Sequence, residues 1–246
     1  MSASILISGA SGGVGSALAS HLETQGWRVF RVGRDASRLA PGSASIVADV
    51  SSADGAKAAV DAAATHFGAP PDALAHCAGN TLIAPIARTT EAQYRSVMAA
   101  NLDSAFFTAQ AWVSTLLAAK QTGRALFFSS VVAGIGVANH AAIAPAKAGV
   151  EALVRSLAAD HSAAGLRFNA IAPGLVESPL TARMVSSEAA RKGVAAQYPL
   201  GRFGSLDDAV AAAAWLLSDD SGWITGQVLH LDGGFSAVRP MVRTAG

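Results

Sequence analysis

Cysteine occurs once in this chain, at Cys77. A single thiol excludes an internal disulfide and suits a reducing compartment. Charge is also scarce: 14% of the 246 residues are charged, and the net charge is +1. So weak a field gives no reason to expect nucleic acid or an anionic membrane surface as a partner. Low charge combined with 51% hydrophobic residues is the reverse of the composition that keeps chains disordered. No apolar run reaches the length of a membrane span. The opening residues MSASILISGA put no basic segment ahead of the first apolar run, which argues against a secretory signal. Tyrosine is nearly missing too, present only as Tyr94 and Tyr198. These absences leave the expectation of a soluble, cytoplasmic protein, long enough for one large α/β domain with a sizeable core.

What is present is a regular alternation of short apolar runs and helical patterns. Ile5 to Ser8 reads as a strand, followed by the turn SGASGGVG and an alanine-rich helix from Val14 to Gln25. Further strands are expected over Trp27 to Val32, Ser45 to Val50, Asp72 to Cys77, Gly123 to Ser130 and Leu166 to Ala172, with Ile224 to Gly234 closing the sheet. Helices are expected over Ala53 to Phe67, Glu91 to Ala119 as one long element, Lys147 to His161, and Ser205 to Ser218 with Ser205 as N-cap. Pro70-Pro71 ends the first of these. The pattern predicts a doubly wound parallel sheet covered on both faces, with residues 1–246 as one domain.

Strand, glycine turn and helix in that order are the context in which Gly9, Gly13 and Gly15 carry meaning. Glycine lets backbone approach a pyrophosphate, and the following helix offers free N–H groups to it. The spacing G-x-x-x-G-x-G resembles the short-chain dehydrogenase/reductase version of the dinucleotide fingerprint. Other segments resemble the same family: Ala78-Gly79 after the fourth strand, Asn101 within MAANLDSAFF, Ser130, Lys147, and Pro173-Gly174 with Ser178 four residues on. The likeness covers about residues 4 to 236 and implies a seven-stranded Rossmann fold flanked by helices, assembled as a homotetramer or homodimer. It implies a cofactor site of Gly9, Ser11, Gly13, Val14, Gly15, Asp49, Val50, Ala78, Gly79, Lys147, Pro173, Gly174 and Ser178, with no metal. It also implies a mobile substrate loop around residues 177–200 and a small-molecule substrate. His76-Cys77 stands where the family commonly has two asparagines of mainly structural role, and Cys77 reads as a small buried residue.

Two positions bear on the chemistry. The family's NAD-binding members close the second strand with an acidic residue, where this chain has Gly33 followed by Arg34. Arginine can pair with a 2′-phosphate, so NADP(H) is favoured over NAD(H); the alternative is that Arg34 is a solvated turn residue and Asp35 serves the ribose. The family also keeps a tyrosine four residues before its active-site lysine, and that position here is Ile143, thirteen after Ser130. The resemblance assigns Ser130 to the substrate oxygen, Lys147 to the nicotinamide ribose and Asn101 to a proton-relay water. His140, seven residues before Lys147, is a candidate proton donor, since imidazole titrates near neutral pH. Tyr198, at the end of the loop, is another. Three functions follow: an oxidoreductase acting on a carbonyl/alcohol or enoyl-type molecule with a noncanonical donor, a silent NADP(H)-binding or regulatory protein, or a non-redox lyase or isomerase.

Overall fold

In the computed structural model, which describes residues 2–239, seven parallel strands form one sheet in the order β3-β2-β1-β4-β5-β6-β7. The strands are β1 (Ser4–Ser8), β2 (Arg28–Gly33), β3 (Ser45–Val47), β4 (Ala73–His76), β5 (Gly123–Phe128), β6 (Leu166–Pro173) and β7 (Val228–Leu231). The helices are α1 (Gly13–Thr24), α2 (Ala53–Phe67), α3 (Glu91–Met98), α4 (Ser104–Ala119), α5 (Ile143–His161), α6 (Glu188–Ala195) and α7 (Leu206–Leu217).

The strands are apolar on both faces because both faces are covered. In β1, Leu6 packs with α2, α4 and α5 through residues such as Val60, Trp112 and Val154. Its neighbours Ile5 and Ile7 face the opposite way, onto Leu18 and Leu22 of α1 and Val210 and Leu217 of α7. Alternation along one strand thus feeds two separate cores. Strand order reverses direction between β1 and β4, which opens a crevice at their carboxyl ends, the usual ligand position of such sheets.

Three expectations shift. The helix expected from Glu91 to Ala119 is interrupted by a π-helical turn over Ala99–Asp103, which carries Asn101. Helix α5 begins at Ile143, so Lys147 lies in its second turn and does not open it. Strands β3 and β4 are shorter than their apolar runs, and Val50 is buried beyond the end of β3. Segment 177–200 holds a 3-10 turn, Ala182–Val185, as well as α6. Ser205 caps α7 as expected, in a capping box with Asp208. No helix among the described residues is long and apolar enough to cross a membrane.

Candidate active site

The turn after β1 meets the turn after β4. Gly9 has φ +71°, and a Cβ there would lie 2.5 Å from the Ala78 nitrogen. Only glycine allows this approach, and it joins the fingerprint loop to Ala78-Gly79 across the switch point. A Cβ on Gly13 would lie 3.0 Å from the Ser178 Cβ, so the loop after β6 closes over the start of α1. Helix α1 has no side-chain N-cap bond, so its first backbone N–H groups remain available to a dinucleotide's phosphates, and the turn fits that cofactor.

A cleft of ≈ 290 Å³ opens beside this junction. Val14, Ala78, Gly79, Asn101, Ser130, His140, Lys147, Pro173, Gly174 and Ser178 all line it, so most of the residues named from sequence come together. Gly9, Ser11, Gly13, Gly15, Arg34, Asp49 and Val50 do not line it; they form or flank the glycine turn and the ends of β2 and β3.

Lys147 reaches through the wall, and its Nζ donates to the Phe128 carbonyl at 2.7 Å. Burial lowers its pKa from the ordinary lysine value to about 8. Asn101 is buried in the π turn, donating to the Asn80 Oδ1 and the Val97 carbonyl, each at 2.9 Å. Its Oδ1 has no hydrogen-bond partner. A Cβ on Gly79 would lie 2.6 Å from that oxygen and 3.6 Å from the Lys147 Nζ, so a missing side chain leaves the space between them. A buried acceptor without a donor is costly, and a cleft water or cofactor hydroxyl would satisfy it. Ser129 and Ser130 both line the cleft, but Ser129 is buried with its hydroxyl donated to Glu151 at 2.8 Å, whereas the Ser130 hydroxyl accepts the Val132 N–H at 3.4 Å. Ile143 is 3% exposed and packs with Val97, Val131, Val132 and Ala146. His140 pairs its Nδ1 with the Ala138 carbonyl at 2.7 Å.

His76 is a buried structural residue, whereas Cys77, expected to be buried, is half-buried and lines the cleft. The His76 ring bridges Ser8 at 2.8 Å and Ser104 at 3.0 Å. Burial pushes the Cys77 thiol up to about 12.

At the carboxyl end of β2, a Cβ on Gly33 would lie 3.0 Å from Leu39 and 3.1 Å from the Ser11 hydroxyl oxygen, so a larger residue there requires both side chains to shift. Asp35 turns its carboxylate onto Ser37, accepting from the backbone N–H at 2.9 Å and from the hydroxyl at 2.7 Å. Arg34 is exposed. Arg38 donates to the Ser11 carbonyl at 3.3 Å, which sets a second guanidinium beside the glycine turn. Sequence reasoning missed Arg38; its spacing of four from Arg34, across the short 3-10 turn Ala36–Arg38, was the available signal. It also missed Asn80, whose contact with Asn101 spans 21 positions. Thr181 was missed as well; its hydroxyl donates to the Val176 carbonyl at 2.6 Å and pins the loop onto the turn after β6.

A glycine cradle and a buried lysine at the switch point of a parallel sheet define a dinucleotide-dependent oxidoreductase. A family model described as Enoyl-(Acyl carrier protein) reductase matches residues 9–236. An uncharacterised oxidoreductase of Mycobacterium tuberculosis is 34% identical over 247 residues, covering 95% of this chain and 91% of its own. The (3R)-3-hydroxyacyl-CoA dehydrogenase of Mus musculus is 31% identical over 250 residues, covering 95% and 96%. Among solved structures, the ligand-free aldohexose dehydrogenase of Thermoplasma acidophilum superposes with a TM-score of 0.90 at 25% identity, covering 99% of this chain and 98% of its own. The chain belongs to the short-chain dehydrogenase/reductase family and is an oxidoreductase of that type.

Proposed function

We propose that this protein is an NADP(H)-dependent oxidoreductase that reduces a carbonyl or activated double bond of a small molecule, or oxidises the corresponding alcohol, with a proton source other than residue 143. One observation carries the reading: Asn101, Ser130 and Lys147 present polar groups to one cleft, while Ile143 presents only hydrocarbon there. Chain decay gives no reason for a buried lysine and an orphaned buried amide oxygen to persist together.

In this reading Ser130 holds the substrate oxygen. Lys147, anchored on the Phe128 carbonyl, holds the ribose hydroxyls and keeps a positive charge beside the reacting centre. Asn101 Oδ1 holds the water through which Lys147 exchanges protons with solvent. Pro173, Gly174 and Ser178 wall the nicotinamide end. The nicotinamide, when bound, supplies or takes the hydride. Arg34 and Arg38 pair with the 2′-phosphate; glycine at residue 33 places no carboxylate at the end of β2, and Asp35 turns its own onto Ser37. Asp49 and Val50 flank the adenine. Ile83, Val132, Leu180 and Met184 give the cleft apolar walls, which suits a substrate with a hydrocarbon body. The mouse relative's name supplies the first compounds to try, 3-oxoacyl and 3-hydroxyacyl thioesters. A cytoplasmic homotetramer or homodimer belongs to the same proposal.

A second reading, a protein that holds NADP(H) without turning it over, draws on the close packing of Ile143. NADPH oxidation against a panel of 3-oxoacyl and enoyl thioesters and simple ketones separates the two. Turnover of any panel member supports the oxidoreductase; saturable NADPH binding with every member untouched supports the silent binder.

A further inference from the structure

We propose that Tyr198 is the acid of this cleft, so that the hydroxyl absent at residue 143 is supplied from the opposite wall by the segment over residues 177–200. This rests on the oxidoreductase reading above.

Few of the groups lining the cleft have a proton to release. Serine and threonine hydroxyls do not ionise near neutral pH, and the Cys77 thiol is pushed up to about 12. Lys147 donates one of its three protons to the Phe128 carbonyl, and the role given above directs the others to the ribose hydroxyls and the relay water. His140 has Nδ1 2.7 Å from the Ala138 carbonyl, a contact that requires hydrogen on Nδ1. With that hydrogen in place the uncharged ring offers Nε2 only as an acceptor, and only the imidazolium form donates from it. Tyr198 is the reverse case. Its Oη accepts the Leu175 N–H at 2.6 Å, and among the described residues no acceptor takes its own proton.

The site around the ring is built for a phenol. A Cβ on Gly174 would lie 2.8 Å from the Tyr198 Cε1 and 3.1 Å from its Oη, so the ring rests directly on the turn that walls the nicotinamide end. Phe235 packs against the ring at 5.1 Å between centroids. A phenylalanine would satisfy that packing equally well; the hydroxyl adds only its bond to Leu175. That bond strengthens as negative charge grows on Oη, because a backbone N–H donating to an oxyanion is charge-assisted. Leu175 thereby favours the tyrosinate, in opposition to the burial that disfavours it. Burial raises the Tyr198 pKa, so the resting side chain keeps its proton, as an acid must.

Hydride from the reduced nicotinamide dinucleotide forms a C–H bond at the substrate's carbonyl carbon, and the C=O π pair moves to oxygen. The Tyr198 O–H bond breaks and its proton goes to that oxygen, giving the alcohol. The dinucleotide is oxidised by two electrons and the carbonyl is reduced by two. The tyrosinate, held by the Leu175 N–H, regains a proton from solvent at the cleft mouth.

The chain's two tyrosines make this testable without turnover. Tyr94, on α3, does not line the cleft, so Tyr94→Phe leaves Tyr198 as the one phenol. Tyrosinate absorbance of that variant, followed against pH, reports Tyr198 alone. Added NADP⁺ is expected to lower its midpoint by at least about one pH unit, because the nicotinamide cation sits beside it. Tyr198→Phe is expected to bind NADPH within about threefold of wild type yet lose at least about 100-fold in kcat, with KM within about threefold. It should also lose the alkaline limb of the rate profile. A midpoint unmoved by bound NADP⁺, or a Tyr198→Phe variant with wild-type kcat and limb, overturns the proposal. Wild-type protein that binds no NADPH overturns the oxidoreductase reading itself, and this proposal with it.

Discussion

His76 illustrates how completely one side chain can be specified. Ser104 commits its proton to the Ala100 carbonyl at 2.8 Å, so the His76 Nε2–H donates to Ser104 and Nδ1 accepts from Ser8. The ring is neutral, and burial lowers its pKa to about 3. The unfolded chain takes up this proton near the ordinary value of 6.5, while the native state refuses it until about 3. Stability must therefore fall as pH drops through that window, by up to about 1.4 kcal/mol per unit. Urea midpoints measured across it should decline for wild type and decline less steeply for His76→Gln; equal slopes would contradict the assignment. Lys147 carries an opposite consequence. Its ammonium is lost above about pH 8, so NADPH affinity should weaken through that pH, and an affinity flat across it would show that the charge takes no part. Ile143 supplies a third prediction. Ile143→Tyr should raise carbonyl reduction at least about tenfold, in the presence of an intact Ser130 and Lys147. It should also cost about 1–3 kcal/mol of stability, because the larger ring enters a packed cluster. Melting temperature and NADPH oxidation measure the two effects separately.

At the scale of elements, the turn between β1 and α1 has the narrowest tolerance. Gly9→Ala meets both a positive φ and the Ala78 backbone, and it should abolish measurable NADPH binding while lowering the melting temperature. Dinucleotide affinity within about threefold of wild type in that variant would contradict the role given to the turn. This turn was legible in the sequence because strand, glycines and helix are contiguous, and the capping box at Ser205 was legible for the same reason. The π turn at Ala99–Asp103 was legible only as a bend at Asn101, through resemblance. The residue within it, Asn101, resembles the family's helix-bending asparagine, but the turn's extent follows from side-chain bonds: Asn101 donates back to Val97 and Ser104 to Ala100, and the ring of His76 holds Ser104. The start of α5 is hidden because Ala142, its N-cap, makes no side-chain cap bond. Strand β3 is shorter than its apolar run because Val50 is buried by packing against α2 and not by pairing.

Across the whole molecule, the sheet follows from apolar runs that alternate with helices, and both cores can be read from the alternation of Ile5, Leu6 and Ile7. The gathering of Asn101, Ser130, Lys147 and Gly174 into one cleft was legible only through resemblance, since these residues are distant in sequence and meet because parallel strands end on one edge. Cofactor choice belongs to this scale too, because it depends on surfaces at the end of β2 facing the glycine turn. Arg34→Ala and Arg38→Ala should each weaken NADPH more than NADH. The most direct test of the account is a fluorescence titration of the wild-type protein with NADPH and with NADH. Saturable binding of both is expected, with NADPH at least about tenfold tighter, the value of one good charge-assisted phosphate contact. Equal affinities, tighter NADH, or no binding at all would contradict it.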